Sequence, residues 1–161
     1  MNVTQFDIND FVSQRSFAIV GVSRSARKFG NTIYKTLKQR GYRLYPVHPD
    51  LESVEGDRCF RSLESLPEKV GGVVLCVSPL KVEETLLRVE AAGIRRVWMQ
   101  QGSESYAAIR FCERAGISAV HGQCILMFTE PVQGVHRFHR WIWRMIGKHP
   151  SPQKDPANPA S

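Results

Sequence analysis

Short apolar runs alternate with helical patterns along the first 120 residues of this chain. The apolar runs have the length and aliphatic content of strands, and they cover residues 17–22, 43–47, 72–77, 95–99 and 117–120. Near-continuous runs of this kind are typical of parallel strands, because both faces of a parallel sheet are covered. The segments between the runs carry apolar residues every three or four positions, which is the period of an amphipathic helix.

The helical segments have recognisable starts and ends. Asp7 and Ser103 are candidate N-caps, and Pro79 suits the first turn of a helix. Glycines, which often follow the last residue of a helix, close three of the segments: Gly41, Gly93 and Gly116.

The alternation of strands and helices predicts right-handed crossovers and one parallel sheet. We therefore expect an α/β domain over residues 1–130: a single Rossmann-like, doubly wound sheet of five parallel strands with helices on both faces. The expected strand order is 3-2-1-4-5. The switch point would then lie between strands one and four, and ligands bind outside the carboxyl ends of the strands at such a point.

The C-terminal part of the chain differs in composition. Apolar side chains recur at helical spacing between Phe138 and Ile146, with arginines on another face. This pattern predicts a basic-aromatic helix over 131–149, which we expect to dock on its own domain, on a second copy or on a partner protein. Residues 150–161 hold four of the nine prolines and no apolar periodicity, which predicts a disordered tail.

Composition narrows the class of protein. The 161 residues are 42% hydrophobic with a formal net charge of +7. No apolar run approaches the roughly 18 residues of a membrane span, and the N-terminus does not resemble a signal peptide.

His136 and His139 lack an evident third ligand, so no metal site is predicted. The four cysteines form no Cys-x-x-Cys pair, and a cytoplasmic protein with reduced thiols is expected: Cys59, Cys76, Cys112 and Cys124.

The loop after the first strand is the strongest candidate for a binding site. Backbone N–H groups at a strand-to-helix turn and the helix dipole favour anions, and hydroxyl and cationic side chains suit phosphate oxygens. A tight turn with solvated basic residues is the alternative. The Gly-x-Gly-x-x-Gly pattern is absent, because Ser23 stands at the second glycine position, and this favours a nucleotide other than NAD. The candidate binding residues are Gly21, Val22, Ser23, Arg24, Ser25, Lys28 and Gly30, with Arg27 as a further cation.

Three further strand ends complete the expected rim of the site. An NAD site has an acidic residue at the end of strand two, which accepts from the ribose hydroxyls. This chain has His48-Pro49-Asp50 there, an arrangement that tolerates a phosphorylated ribose, as in NADP or coenzyme A. The candidate residues on the three ends are Pro46, Val47 and His48; Val77, Ser78, Pro79 and Leu80; and Gln100, Gln101 and Gly102.

Several motifs together resemble the stand-alone coenzyme A-binding protein family, whose domain also opens the alpha subunit of succinyl-CoA synthetase. Their common order and spacing are more specific than any one of them. The matching segments are Ile19-Val-Gly-Val-Ser-Arg24 with Lys28 and Gly30, Gly41-Tyr-Arg-Leu-Tyr-Pro-Val-His-Pro49, Val54-x-Gly56 with Phe60-x-Ser-Leu63, Val97-Trp-Met-Gln-Gln-Gly102 and Cys124-Ile-Leu126.

The resemblance implies that coenzyme A or an acyl-CoA occupies the switch-point crevice. It places residues 23–25 at the pyrophosphate, 46–48 beside the ribose, 77–80 beside the nucleotide and 100–102 at the pantetheine arm. Asn-Pro-Lys is common in the family where this chain has His48-Pro49-Asp50, so one phosphate partner is missing. The phosphorylated histidine of the synthetase belongs to a different domain, and no histidine of this chain is expected to inherit that role.

The leading interpretation is a cytoplasmic protein that binds coenzyme A without a complete catalytic apparatus of its own. One alternative is an NADP-linked or acyl-CoA-handling enzyme in which His121 activates Cys124 just after strand five. A loop histidine and a small buried cysteine are favoured over that pair. The other alternative is a nucleotide-sensing interaction protein, or a nucleic-acid-binding protein, that acts through residues 136–148; docking of this helix is favoured over nucleic-acid binding.

Overall fold

The computed structural model describes residues 2–129, so the expected helix over 131–149 and the expected tail over 150–161 lie outside the described residues. The helices are α1 (Gln5–Ser13), α2 (Phe29–Gln39), α3 (Pro79–Ala91) and α4 (Tyr106–Ala115). Single turns of 3-10 helix cover Leu63–Ser65 and Ile125–Met127. The strands are, in chain order, β1 (Ser16–Val20), β2 (Arg43–Val47), β3 (Ser53–Val54), β4 (Asp57–Arg58), β5 (Gly72–Leu75), β6 (Arg96–Gln100) and β7 (Ser118–Gln123).

Five of the strands form one parallel sheet in the order β2-β1-β5-β6-β7, while β3 and β4 form a separate hairpin. The expected α/β class, with five parallel strands and helices on both faces, is confirmed. The expected order 3-2-1-4-5 is wrong, because the third strand of the sheet, β5, pairs with β1 on the side opposite β2. The switch point therefore lies between β1 and β5, not between the first and fourth strands of the sheet.

The burial of the strands explains this order. Every residue of β5 is buried, whereas β2 begins exposed, so β5 occupies an inner position and β2 an edge. An edge also suits Pro46, which has no N–H. Its carbonyl accepts from the Phe60 N–H at 2.8 Å on the outer side of β2, so the missing N–H interrupts no bond to β1. The segment from β2 to β5 contains the hairpin and a 3-10 turn rather than a crossover helix.

The core has two layers, one on each face of the sheet. The first lies between the sheet and α1, α2 and the turn at residues 125–127, and the second lies beneath α3 and α4. Phe11 of α1 stacks on Phe17 at 4.8 Å and meets Trp98 edge-on at 5.4 Å. A Cβ on Gly72 would lie 2.7 Å from the Phe11 ring, so the glycine makes room for this aromatic contact.

Two helices begin at caps that differ from the expected ones. Thr4 caps α1, and Asp7 is the third helical residue, whose carboxylate accepts from the Thr4 N–H at 2.9 Å. Ser105 caps α4 by accepting from the Ala108 N–H, two residues beyond Ser103. The cap of α1 rests on reciprocal bonds between Thr4 and Asp7, and the cap of α4 rests on the one bond to Ser105. A single polar residue in the sequence reveals neither.

The segment that follows β7 is held against α2. Arg40 donates from Nη1 to the carbonyls of Leu126 at 3.0 Å and Thr129 at 2.8 Å, and to the Thr129 hydroxyl. These bonds place residues 124–129 in the same layer as α1 and α2. Within residues 2–129, no helix has the length and apolar character needed to cross a membrane.

Candidate functional site

The loops that leave β1 and β5 lie side by side, because these two strands are neighbours. Val20 pairs with Leu75 in register, and the Cys76 N–H donates to the Val20 carbonyl at 2.7 Å. The chain after β1 then turns into α2 on one face of the sheet, while the chain after β5 turns into α3 on the other. This divergence opens the crevice in which ligands of doubly wound sheets bind.

Two glycines allow the backbone segments at the crevice to approach closely. Gly21 has φ +106°, and a Cβ there would lie 2.3 Å from the Cys76 carbonyl oxygen. A Cβ on Gly30, in the first turn of α2, would lie 2.4 Å from the Gly21 carbonyl oxygen. Both distances are far below van der Waals contact. The two predicted glycines therefore pack the β1 loop, the β5 loop and α2 against one another.

Asn31 fixes the shape of the β1 loop. Asn31 is 3% exposed, and its carboxamide makes two hydrogen bonds to the backbone of Ser23. The Ser23 N–H donates to Oδ1 at 2.8 Å, and Nδ2 donates to the Ser23 carbonyl at 2.8 Å. No motif in the sequence singles out this residue. Its one signal was an asparagine within a helix, where the side chain is disfavoured unless it has a specific partner.

The start of α2 is open to an anion. Lys28 is the N-cap residue, no side chain caps the helix, and the first turn contains no acidic residue. Arg24, Ser25, Arg27 and Lys28 are exposed on the loop. None of the ion pairs found within residues 2–129 involves these three cations. The helix dipole and the loop cations thus present positive charge at the same place.

The end of β2 borders the β1 loop on the neighbouring strand. Pro46 and Val47 are buried, while His48 is partly exposed. The Asp50 N–H donates to His48 Nδ1 at 3.1 Å, which sets the orientation of the imidazole. The His48 N–H donates to the Phe60 carbonyl at 2.9 Å. No carboxylate directly ends this strand, since Asp50 follows Pro49 in an exposed turn.

The start of α3 forms the other wall of the crevice. Ser78 is its N-cap, without a hydrogen bond from the side chain, and Pro79 is its first residue. Val77 is partly exposed, and Leu80 is 95% exposed. Phe29, the first residue of α2, is 47% exposed. The first turn of each of these two helices therefore carries a large exposed apolar side chain.

The end of β6 serves a structural role in part. Gln100 is buried, and its Oε1 accepts from the Ile125 N–H at 3.2 Å. Gln101 and Gly102 form an exposed turn, with φ +88° at Gly102, and the Gly102 N–H donates to Glu104 at 2.7 Å. Of the three predicted residues at this end, only Gln101 and Gly102 are accessible. They lie one strand beyond the switch point.

The cysteines near the crevice are held as thiols. Burial raises the pKa of Cys124, although Gln100, backbone N–H groups and Arg40 act in the opposite direction. Burial, with a smaller contribution from Cys124, raises the pKa of Cys76 to about 12. His121 lies within β7 rather than after it, and it is not among the groups that shift the pKa of Cys124. This environment opposes thiolate formation. No cluster of three or more potential metal ligands occurs among residues 2–129.

The chain is similar to several known proteins. A conserved hypothetical protein from Pyrococcus furiosus is 37% identical, with a TM-score of 0.66, over 69% of this chain and 96% of that chain. A hypothetical protein from Pyrococcus horikoshii OT3 is 29% identical, with a TM-score of 0.74, over 82% and 94%. The alpha subunit of ADP-forming acetate–CoA ligase II from Pyrococcus furiosus is 30% identical over 88 residues, which are 54% of this chain and 19% of that subunit.

This chain therefore spans less than a fifth of the length of the curated ligases that it matches. The matched segments are between 81 and 125 residues long. The family described as the CoA binding domain matches residues 15–130, which include β1 to β7 and every strand end of the crevice. The chain belongs to this CoA-binding domain family.

Proposed function

We propose that this chain binds coenzyme A or an acyl-CoA in the crevice between β1 and β5, without a complete catalytic apparatus of its own. The observation that carries the proposal is the β1 loop. Its backbone is held by Asn31, and it presents exposed cations at the uncapped start of α2. Backbone N–H groups and cations arranged in this way suit the pyrophosphate of a nucleotide.

The end of β2 supports coenzyme A over NAD. A carboxylate directly after this strand would accept from the ribose hydroxyls of NAD and would repel a phosphate on the same ribose. Here the strand ends in Val47 and His48, and the next acidic residue is the exposed Asp50. A ribose that carries a 3′-phosphate, as in coenzyme A, therefore meets no fixed negative charge at the strand end.

The remaining rim suits the rest of the ligand. In this proposal, residues 23–25 contact the pyrophosphate, 46–48 the ribose, 77–80 the nucleotide and Gln101 with Gly102 the pantetheine arm. The exposed Leu80 and Phe29 provide apolar surface at the first turns of α3 and α2. A ligand with a purine and a long, weakly polar arm can use such a surface, whereas a free phosphate cannot.

Isothermal titration calorimetry with coenzyme A, acetyl-CoA, NAD and NADP tests the proposal. Coenzyme A and acetyl-CoA are expected to bind more tightly than NAD and NADP. Replacing Arg24 and Lys28 together by alanine is expected to weaken the binding of both coenzyme A species about tenfold or more, because two charge-assisted contacts are lost. Lys35→Ala is the matched control, since Lys35 is an exposed cation on α2 beyond its first turn. Absence of binding of either CoA species at millimolar concentration would defeat the proposal.

The enzymatic alternative makes a separate prediction. If Cys124 and His121 carried chemistry on an acyl-CoA, Cys124→Ser or His121→Ala would abolish turnover. Because burial raises the pKa of Cys124 and opposes thiolate formation, we expect no turnover of acetyl-CoA in the wild-type protein and no loss of CoA binding in Cys124→Ser. An assay of thiol release from acetyl-CoA checks this expectation.

A further inference from the structure

Gln123 ends β7 with an acceptor that lacks a donor. Its Oε1 is buried, and no N–H or O–H group of residues 2–129 lies within hydrogen-bond distance. It is the one buried side-chain nitrogen or oxygen of these residues in that condition. Native proteins satisfy the great majority of buried polar atoms, and an acceptor without a donor at the edge of a crevice calls for a ligand or a water.

The position of Gln123 is set by its backbone. Its carbonyl accepts from Trp98 Nε1 at 3.0 Å and from the Gln101 N–H at 3.2 Å. Its Cα pairs with Gln100 on β6. Gln123 therefore stands at the carboxyl edge of the sheet beside the exposed turn of Gln101 and Gly102. The residue as a whole retains 7% exposure while Oε1 itself is buried, so a ligand reaches this oxygen once the Gln123 side chain turns toward the surface.

Gln100 and Gln123, which are paired at this edge, differ in the hydrogen bonds of their side-chain oxygens. Gln100 uses its Oε1 to hold the Ile125 N–H at 3.2 Å, and so fixes the segment after β7. The carboxamide oxygen of Gln123 holds no comparable group. A structural role therefore accounts for the burial of Gln100 but not for the burial of the Gln123 oxygen.

We propose that Gln123 Oε1 accepts a hydrogen bond from an amide N–H of the pantetheine arm of coenzyme A. This inference rests on the proposed function. With the pyrophosphate at β1 and β5, an arm that follows the carboxyl edge away from β2 passes β6 and reaches β7, about 10 Å from β5 at the usual strand spacing. The adenine amino group is another N–H donor of the ligand, and adenosine 3′,5′-bisphosphate, which has this group but not the arm, distinguishes the two.

The test uses two ligands and one variant. Gln123→Met removes the acceptor while keeping a side chain of similar length. It is expected to weaken coenzyme A about three- to tenfold, the range for one hydrogen bond, and to leave adenosine 3′,5′-bisphosphate, which lacks the arm, unchanged. The melting temperature of the free variant should equal or exceed that of the wild type, because the variant loses no internal hydrogen bond of that oxygen. Gln39→Met, on the exposed surface of α2, is the control and should change none of these quantities.

Two results would overturn the assignment. One is a lower melting temperature with unchanged affinity for coenzyme A, which would mean that the oxygen binds a structural water. The other is an equal loss of affinity for both ligands, which would mean that the change acts on the nucleotide.

If Gln123→Met does not fold, nuclear magnetic resonance of the wild type decides. The Gln123 side-chain amide signals should then shift with coenzyme A and not with adenosine 3′,5′-bisphosphate. Failure of the wild type to bind coenzyme A would instead refute the proposed function itself.

Discussion

At the scale of single residues, the crevice depends on one missing side chain and one buried amide at the start of α2. Gly30 lets the helix approach the Gly21 carbonyl, and Asn31 bonds to both backbone groups of Ser23. The first interaction sets the distance between helix and loop. The second sets the course of the loop. Neither residue needs to touch a ligand in order to position the groups that do.

Gly30→Ala is expected to destabilise the protein, although alanine is the better helix former. In an open helix the change would stabilise by about 1 kcal/mol. Here the new Cβ would lie 2.4 Å from a backbone oxygen, and overpacking of this kind typically costs about 1–3 kcal/mol. Urea unfolding measures the difference. Thr32→Ala, at an exposed position one turn into the same helix, is the control and should not destabilise. A Gly30→Ala protein as stable as the wild type would contradict the close approach.

Asn31→Ala is expected to lower both stability and ligand affinity. The variant loses two hydrogen bonds and leaves the Ser23 N–H and carbonyl without these partners, a change that costs about 1–3 kcal/mol. Coenzyme A binding should weaken in parallel, because the loop no longer holds one course. Thermal unfolding and calorimetry on the same sample check both effects. Asn9→Ala, on the exposed side of α1, should change neither.

At the scale of elements, a carboxylate links the β3–β4 hairpin to α2, in addition to the burial of Val54 in the core layer that contains Tyr34 and Leu37. Asp57 accepts from the Tyr34 hydroxyl at 2.5 Å and from Lys38 Nζ at 2.6 Å. These two hydrogen bonds, that of Lys38 first, hold the pKa of Asp57 below its usual value. Burial and the same carboxylate raise the pKa of Tyr34. The hairpin also contacts β2 through β4.

Acid should loosen this attachment. A carboxyl whose pKa is lower in the folded state stabilises the fold above its unfolded pKa, near 4, and this contribution is lost as the pH falls below that value through the lower pKa of the folded state. Asp57→Asn should therefore lose less stability than the wild type between pH 7 and about pH 3. Urea midpoints across the pH range measure the effect. Asp50→Asn, in the exposed turn after β2, should keep the wild-type pH dependence; equal slopes for Asp57→Asn and wild type would disprove the attachment.

The elements were predictable where a pattern is local, and less so where it depends on pairing. The five strands and the βα alternation follow from apolar periodicity, as does the candidate loop after β1. The strand order does not follow from it. An apolar run such as 72–75 could pair with β1 or lie farther out in the sheet, and only the burial of the strands shows which position it takes. Asn31 and Gln123 were not predicted for a similar reason: the sequence does not show which backbone groups surround the side-chain amide of a single residue.

At the scale of the whole molecule, positive charge is concentrated in two places. The formal net charge is +7, and residues 131–161 contain five basic side chains against one acidic. The second place is the β1 loop, where Arg24, Arg27 and Lys28 are exposed at the start of α2. A multiply charged anion such as coenzyme A is attracted by both. The salt dependence of binding therefore distinguishes a basic region that contacts coenzyme A from one that only attracts it at long range.

Coenzyme A binding is expected to weaken steadily as sodium chloride rises from about 0.01 M to 1 M, across which the Debye length falls from roughly 30 Å to 3 Å. If the anion sits on the β1 loop, replacing Arg24, Arg27 and Lys28 by glutamine should flatten this dependence, because the contacting charges are gone. Replacing Arg137, Arg140 and Arg144 by glutamine should leave most of the salt dependence of binding unchanged. Calorimetry of both triple variants at each salt concentration measures this difference. The two variants are comparable because each loses three positive charges. A flatter dependence only in the C-terminal variant would move the anion away from the crevice and onto the basic-aromatic segment.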